Sequence, residues 1–166
     1  GRAHDHVQTV KDEIRAWKDS SPYLVTRETN ADFTRYSLIA RISNEPPFQR
    51  WTLIIGDAIH NLRCALDHLI YAIAIHESGQ NPPPHEGQLA FPICDEPDSF
   101  PKEADRRLAG ISNPVRAAIE VSQPYNRPHP DLPPPLAILR DLENADKHKL
   151  LRLAFTAVVK GEVGFT

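Results

Sequence analysis

Methionine is absent from the 166 residues and cysteine occurs only twice, at Cys64 and Cys94. Two cysteines 30 positions apart form no zinc-knuckle spacing and no disulfide framework, so a reducing, cytoplasmic setting is the plain expectation. Long hydrophobic runs are missing too. The longest, Leu69 to Ile75, is far too short to span a bilayer, and no membrane partner is expected. The N-terminus, Gly1-Arg2-Ala3-His4-Asp5-His6, lacks the apolar stretch of a signal peptide. Basic excess is lacking as well: the net charge is -3, which argues against stable binding to duplex DNA. There is no Gly-rich phosphate loop and no Gly-x-Ser-x-Gly elbow, and His85-Glu86 lacks the second histidine of a zincin. With no Met and an end inside an apolar stretch, the chain reads as one domain, 1–166, trimmed from a longer protein.

What is present is a globular balance, 40% hydrophobic and 25% charged, with 16 prolines punctuating the chain. From Ala3 to Asp19, the spacing of Val7, Val10, Ile14 and Trp17 predicts an amphipathic helix, closed by Ser20-Ser21-Pro22. Between Tyr23 and Ser43 a period of two, with Tyr36, Leu38, Ala40 and Ile42 alternating against Arg35, Ser37, Ile39 and Arg41, predicts a hairpin turning at Thr29 to Asp32. The longest helix is expected over about Gln49 to Glu77, stopped by Ser78-Gly79. Shorter helices are expected near Lys102 to Leu108, from Asn113-Pro114 with Asn113 as cap, and from about Pro135 to Lys147. Gln123 to Pro135 reads as an irregular, Pro-rich connection. After His148, Leu151, Leu153, Phe155, Ala157 and Val159 alternate like a strand that pairs with the hairpin. The expected fold class is therefore α+β and mainly helical: a long central helix packed by N- and C-terminal helices, with a small antiparallel sheet made of hairpin 23–43 plus a C-terminal strand.

On a helical wheel of about 100° per residue, Ile55, Ile59, Leu62, Leu66, Leu69 and Ile73 form the expected core face of the central helix. Asp57, His60, Asn61, Cys64, His68 and Tyr71 gather opposite, flanked by Arg63 and Asp67. A solvated face ordinarily carries Lys, Glu and Gln, the long helix formers. This one carries residues that titrate, coordinate or hydrogen-bond at short reach and are mediocre helix formers. Such a stripe is either a buried polar network or a functional site. Asp146, on the inward face of the last helix, needs a partner, for which Arg63 and His60 are candidates. His148 at that helix's C-terminus favours the dipole.

Two stretches carry a resemblance. Gly56 to Leu69, containing Leu62-Arg63-Cys64-Ala65-Leu66-Asp67-His68-Leu69, and Asn144 to Lys149, containing Asp146-Lys147-His148, resemble a group of uncharacterised bacterial proteins. That group also shows Phe91-Pro92-Ile93 and Gln123-Pro124-Tyr125. More distantly, Arg63 and His68 match the Arg-then-His spacing of HEPN domains, with Cys64 standing where those domains often place Asn. The resemblance implies a dimeric, metal-independent endoribonuclease of the toxin or defence type, acting on RNA without a cofactor. Arg63 would hold the scissile phosphate and His68 would serve as general acid or base for the ribose 2′-hydroxyl. Asn61 and Asp67 are the further catalytic candidates; Asp57, His60, Cys64, Tyr71, Asp146 and His148 are candidates for binding and support.

Two other readings stand beside it. His60, Cys64 and His68, four apart on one face, are potential zinc ligands, although His60 and His68 lie about 12 Å apart along the axis and cannot share one ion unaided. The Pro-rich loops and the amphipathic first helix equally suit a non-catalytic domain that binds a ligand or a partner protein.

Overall fold

A computed structural model describes residues 1–32, 34, 36–127 and 131–148, the side chains of 146–148 excepted. Among these residues the fold is mainly helical α+β. The order is α1 (Arg2–Asp19), β1 (Tyr23–Thr29), β2 (Tyr36–Ile42), α2 (Phe48–Ser78), α3 (Phe100–Arg107), α4 (Asn113–Val121) and α5 (Pro135–His148). Short 3₁₀ turns at Glu86–Gln88, Pro97–Ser99 and Pro124–Asn126 connect the later helices. The expected C-terminal strand lies outside the described residues.

α1 buries Val10 and Trp17. Trp17 stacks edge-on against Trp51 in the first turns of α2 and against Tyr23 at the start of β1, with centroids 6.1 and 5.6 Å away. Both indole N–H groups are satisfied, Trp17 donating to the Asn44 carbonyl and Trp51 to Glu13. Glu13 also takes a fork of bonds from Arg50. This aromatic knot fixes α1 on the N-terminal part of α2.

β1 and β2 pair antiparallel, Tyr23 opposite Ile42 through Thr29 opposite Tyr36. Asn30 Nδ2 donates to Thr34 Oγ1 across the turn. Only Thr26 and Ile39 are even partly covered, so this ribbon projects with both faces open. Leu24, Val25, Leu38 and Ile42 are each more than half exposed.

α2 ends where Gly79 adopts φ 66°, the left-handed cap the sequence predicts. Its C-terminal part carries the main core. Ile70 and Ala74 pack with Phe91, Cys94, Phe100, Ala104, Leu108, Ile111 and Ile119, and Leu136 of α5 closes over them. The core face therefore differs from the expected one. Ile59 is buried and Leu66 and Ile73 are partly so, but Leu62 and Leu69 are 47% and 49% exposed, while Ile70 is completely covered. The apolar arc of α2 is wider than its covered arc. The segment 89–94, α3 and α4 all return to the Ile70 side, so that side becomes the interior. α4 differs slightly too. Its cap position is Ser112, whose backbone N–H and hydroxyl both donate to the Glu77 carboxylate, while the hydroxyl accepts from none of the helix's first N–H groups.

Candidate functional site

The stripe on α2 divides in two. Arg63 and Asp67 turn inward. Arg63 donates to the Phe91 carbonyl at 2.8 Å, pairs with Asp67 at 3.0 Å, and approaches Glu143 of α5 at 3.7 Å. Asp67 in turn accepts the backbone N–H of Phe91 at 2.8 Å. An arginine one turn before an aspartate thus grips both polar groups of one residue in the Phe91-Pro92-Ile93 segment. The Arg63 side chain is only 12% exposed. Gln123, fully buried, completes the same latch. It accepts from Cys94 N and donates to the carbonyls of Pro92 and Ile119. From α5, Glu143 reaches Arg63; the side chains of Asp146, for which a partner is expected from the sequence, and of His148 lie outside the described residues.

Arg63 and Asp67 also line a cleft of about 380 Å³ with Glu103, Arg107, Arg140 and Glu143. Three guanidinium groups face three carboxylates there. Glu103 is gripped by Arg106 and Arg107, which hold its carboxyl below the usual carboxylate range. Arg140 is paired with Asp95 and Asp141. The cations of this cleft already have protein anions as partners, so it offers no uncompensated charge to a phosphate. Glu103, Arg107, Arg140 and Glu143 were not singled out from the sequence: they come from two other helices, and no local pattern ties them to Arg63.

Asp57, His60 and His68 are instead exposed on α2, with Asn61, Cys64 and Tyr71 partly covered beside them. Asn61 Nδ2 donates to the Asp57 carbonyl one turn back. Tyr71 reaches Glu86 at 3.4 Å, and desolvation together with that carboxylate raises its phenol pKa. Cys64 Sγ lies 3.4 Å from His60 Nε2. His68 has no hydrogen-bond partner among the described residues. The helix places Arg63 and His68 about 140° apart around its axis, the first facing the Phe91 loop and the second open.

Among the described residues no three or more His, Cys, Asp or Glu side chains converge on one metal position, and no helix is long and apolar enough to cross a membrane. In comparison with known proteins, no family model, curated protein or solved structure matches the chain.

Proposed function

We propose that this chain is a non-catalytic binding and assembly domain whose partner is a second copy of itself, docked along the open stripe of α2. The observation that carries the reading is the commitment of Arg63 to the Phe91 carbonyl, Asp67 and Glu143. Holding a scissile phosphate would require it to abandon three partners inside the fold, which is costly.

The open stripe suits self-association because it is self-complementary. Two copies of α2 set antiparallel, with His60 of one opposite Cys64 of the other, match every step up one helix with a step down its partner. Leu53, 67% exposed, then falls opposite Tyr71, and Asp57, level with the partner's Asp67, which turns inward, comes within one residue, about 1.5 Å along the axis, of the exposed His68 imidazole. An aliphatic side chain thus meets an aromatic ring, and a carboxylate lies near a residue able to donate to it.

Light scattering tests this reading. The chain has a mass of 18.7 kDa, and a particle of twice that mass is expected, shifting toward the single mass in Leu53→Asp. A strict monomer at all concentrations would overturn it. Structured RNA incubated in EDTA is expected to stay intact. Cleavage by the parent and not by a His68→Ala variant would replace this reading with the endoribonuclease that the HEPN resemblance implies.

A further inference from the structure

Cys64 and His60 are the one thiol–imidazole contact among the described residues, within hydrogen-bond distance of each other. A tetrahedral zinc takes a thiolate sulfur at about 2.3 Å and an imidazole nitrogen at about 2.1 Å, which places the two donor atoms about 3.6 Å from each other. The observed separation is 3.4 Å. Four residues apart on a helix, the two side chains project from adjacent turns of one face. A bound ion could be accepted with little rearrangement of either side chain.

Two donors are half of a structural zinc site, which closes with four. The other residues of the stripe do not complete it within one chain. Asp57 and His68 each lie a further turn away, and Asn61 Nδ2 is engaged with the Asp57 carbonyl. The register proposed above supplies the missing half, because it places His60 and Cys64 of one copy directly against Cys64 and His60 of the other. We infer that the antiparallel α2 pair binds one zinc ion on its two-fold axis through Cys64 and His60 of both copies, a Cys₂His₂ site that neither chain holds alone. This inference rests on the self-association reading. On binding, each thiol releases its proton to solvent and coordinates as thiolate, so the ion's double charge is balanced by two thiolates. His68, one turn beyond Cys64, stays outside the ion, within one residue of the level of the partner's Asp57. Metal then acts as a linked ligand of the dimer and strengthens it by mass action.

The full chain, stripped with EDTA, kept reduced and exchanged into chelator-free buffer, is titrated with cobalt(II) alone and then with zinc(II). One cobalt per two chains is expected, with the intense visible bands of tetrahedral cobalt and a sulfur-to-cobalt charge-transfer band in the near ultraviolet, all displaced by zinc. Cys64→Ser removes the charge-transfer band and His60→Ala weakens the visible bands. His68→Ala retains both. All three positions lie at the surface, and far-ultraviolet circular dichroism confirms that the variants are folded. Zinc is expected to tighten the dimer by about tenfold or more. A chain that dimerises equally with or without metal and shows no cobalt–sulfur band overturns the zinc site while leaving the α2 dimer standing. One cobalt bound per monomer, or a site that survives His60→Ala and is lost in His68→Ala, overturns it as well. A chain that stays monomeric even at saturating zinc overturns both readings.

Discussion

Arg63 shows how one side chain can be claimed by the fold before any ligand arrives. Its guanidinium satisfies the Phe91 carbonyl, and Asp67 satisfies the Phe91 N–H. Arg63→Ala leaves a half-buried acceptor and two carboxylates without their cation, and is expected to lower stability by about 2–4 kcal/mol in urea unfolding. Arg63→Lys keeps the charge but loses the planar fork, and should recover only part of that loss. Gln123 makes a parallel case: it is fully buried with three hydrogen bonds. Gln123→Leu orphans Cys94 N and two carbonyls and is expected to cost about 2–3 kcal/mol in the same measurement. Tyr125 tests burial differently. Desolvation, with the nearby Glu120 carboxylate, pushes its phenol up to about 12. Its folded value lies above its unfolded one, so the neutral phenol's stabilisation is complete below the ordinary tyrosine value of about 10 and is lost as pH rises toward 12. Absorbance titration of the folded protein should show its latest tyrosine phase at about pH 12, and Tyr125→Phe should remove that phase while the raised Tyr71 remains.

At the scale of elements, the two ends of α2 obey different rules. The C-terminal part is anchored by packing: Ile70 is completely covered amid Phe91, Phe100, Leu108 and Ile119. Ile70→Ala is expected to cost about 2–5 kcal/mol. The hairpin has no such backing. Leu38 is 67% exposed, and Leu38→Thr should change stability by less than about 0.5 kcal/mol. A result of the same size as Ile70→Ala would mean that something covers the ribbon. Gly79, at φ 66°, has open space where a side chain would go, so Gly79→Ala is penalised by the backbone alone, by about 1 kcal/mol.

The element boundaries were legible in the chain because capping and periodicity are local. The left-handed cap after Ser78, the Pro22 break and the extended pairing of β2 with β1 all stand where the pattern places them. The inward face of α2 was not legible. Leu62 and Leu69 are as apolar as Leu66, and nothing within a heptad tells which of them the Phe91 loop will cover.

For the whole molecule, acid is the expected weakness. Glu13, Glu77 and Glu103 all have carboxyl pKa values below the ordinary range: Glu13 chiefly through Arg50, Glu77 through the Ser112 hydroxyl, Glu103 through Arg106 and Arg107. Each joins parts distant in sequence or braces a helix that packs on the core. A depressed folded value means the stabilisation is present above the unfolded glutamate value of about 4.3 and drains away as pH falls through the folded values. The melting temperature should therefore begin to fall below about pH 4.3, modestly because these groups are near the surface. High salt should reproduce part of this by screening the pairs of Glu13 with Arg50 and of Glu103 with Arg106 and Arg107, but not the Glu77–Ser112 share, which is a hydrogen bond to a neutral group.

The amino-acid sequence by itself determined where helices start and stop, that a hairpin precedes the long helix, and that one face of that helix carries an unusual set of short polar residues. Those features depend on neighbours within a few positions, through dihedral preferences and side-chain reach. Only the tertiary structure decided how the set divides, with Arg63 and Asp67 drawn inward to the Phe91 backbone and His60, Cys64 and His68 left open. That division depends on where a segment nearly thirty residues downstream returns against the helix, and its return is governed by packing of α3, α4 and α5, which no local periodicity encodes.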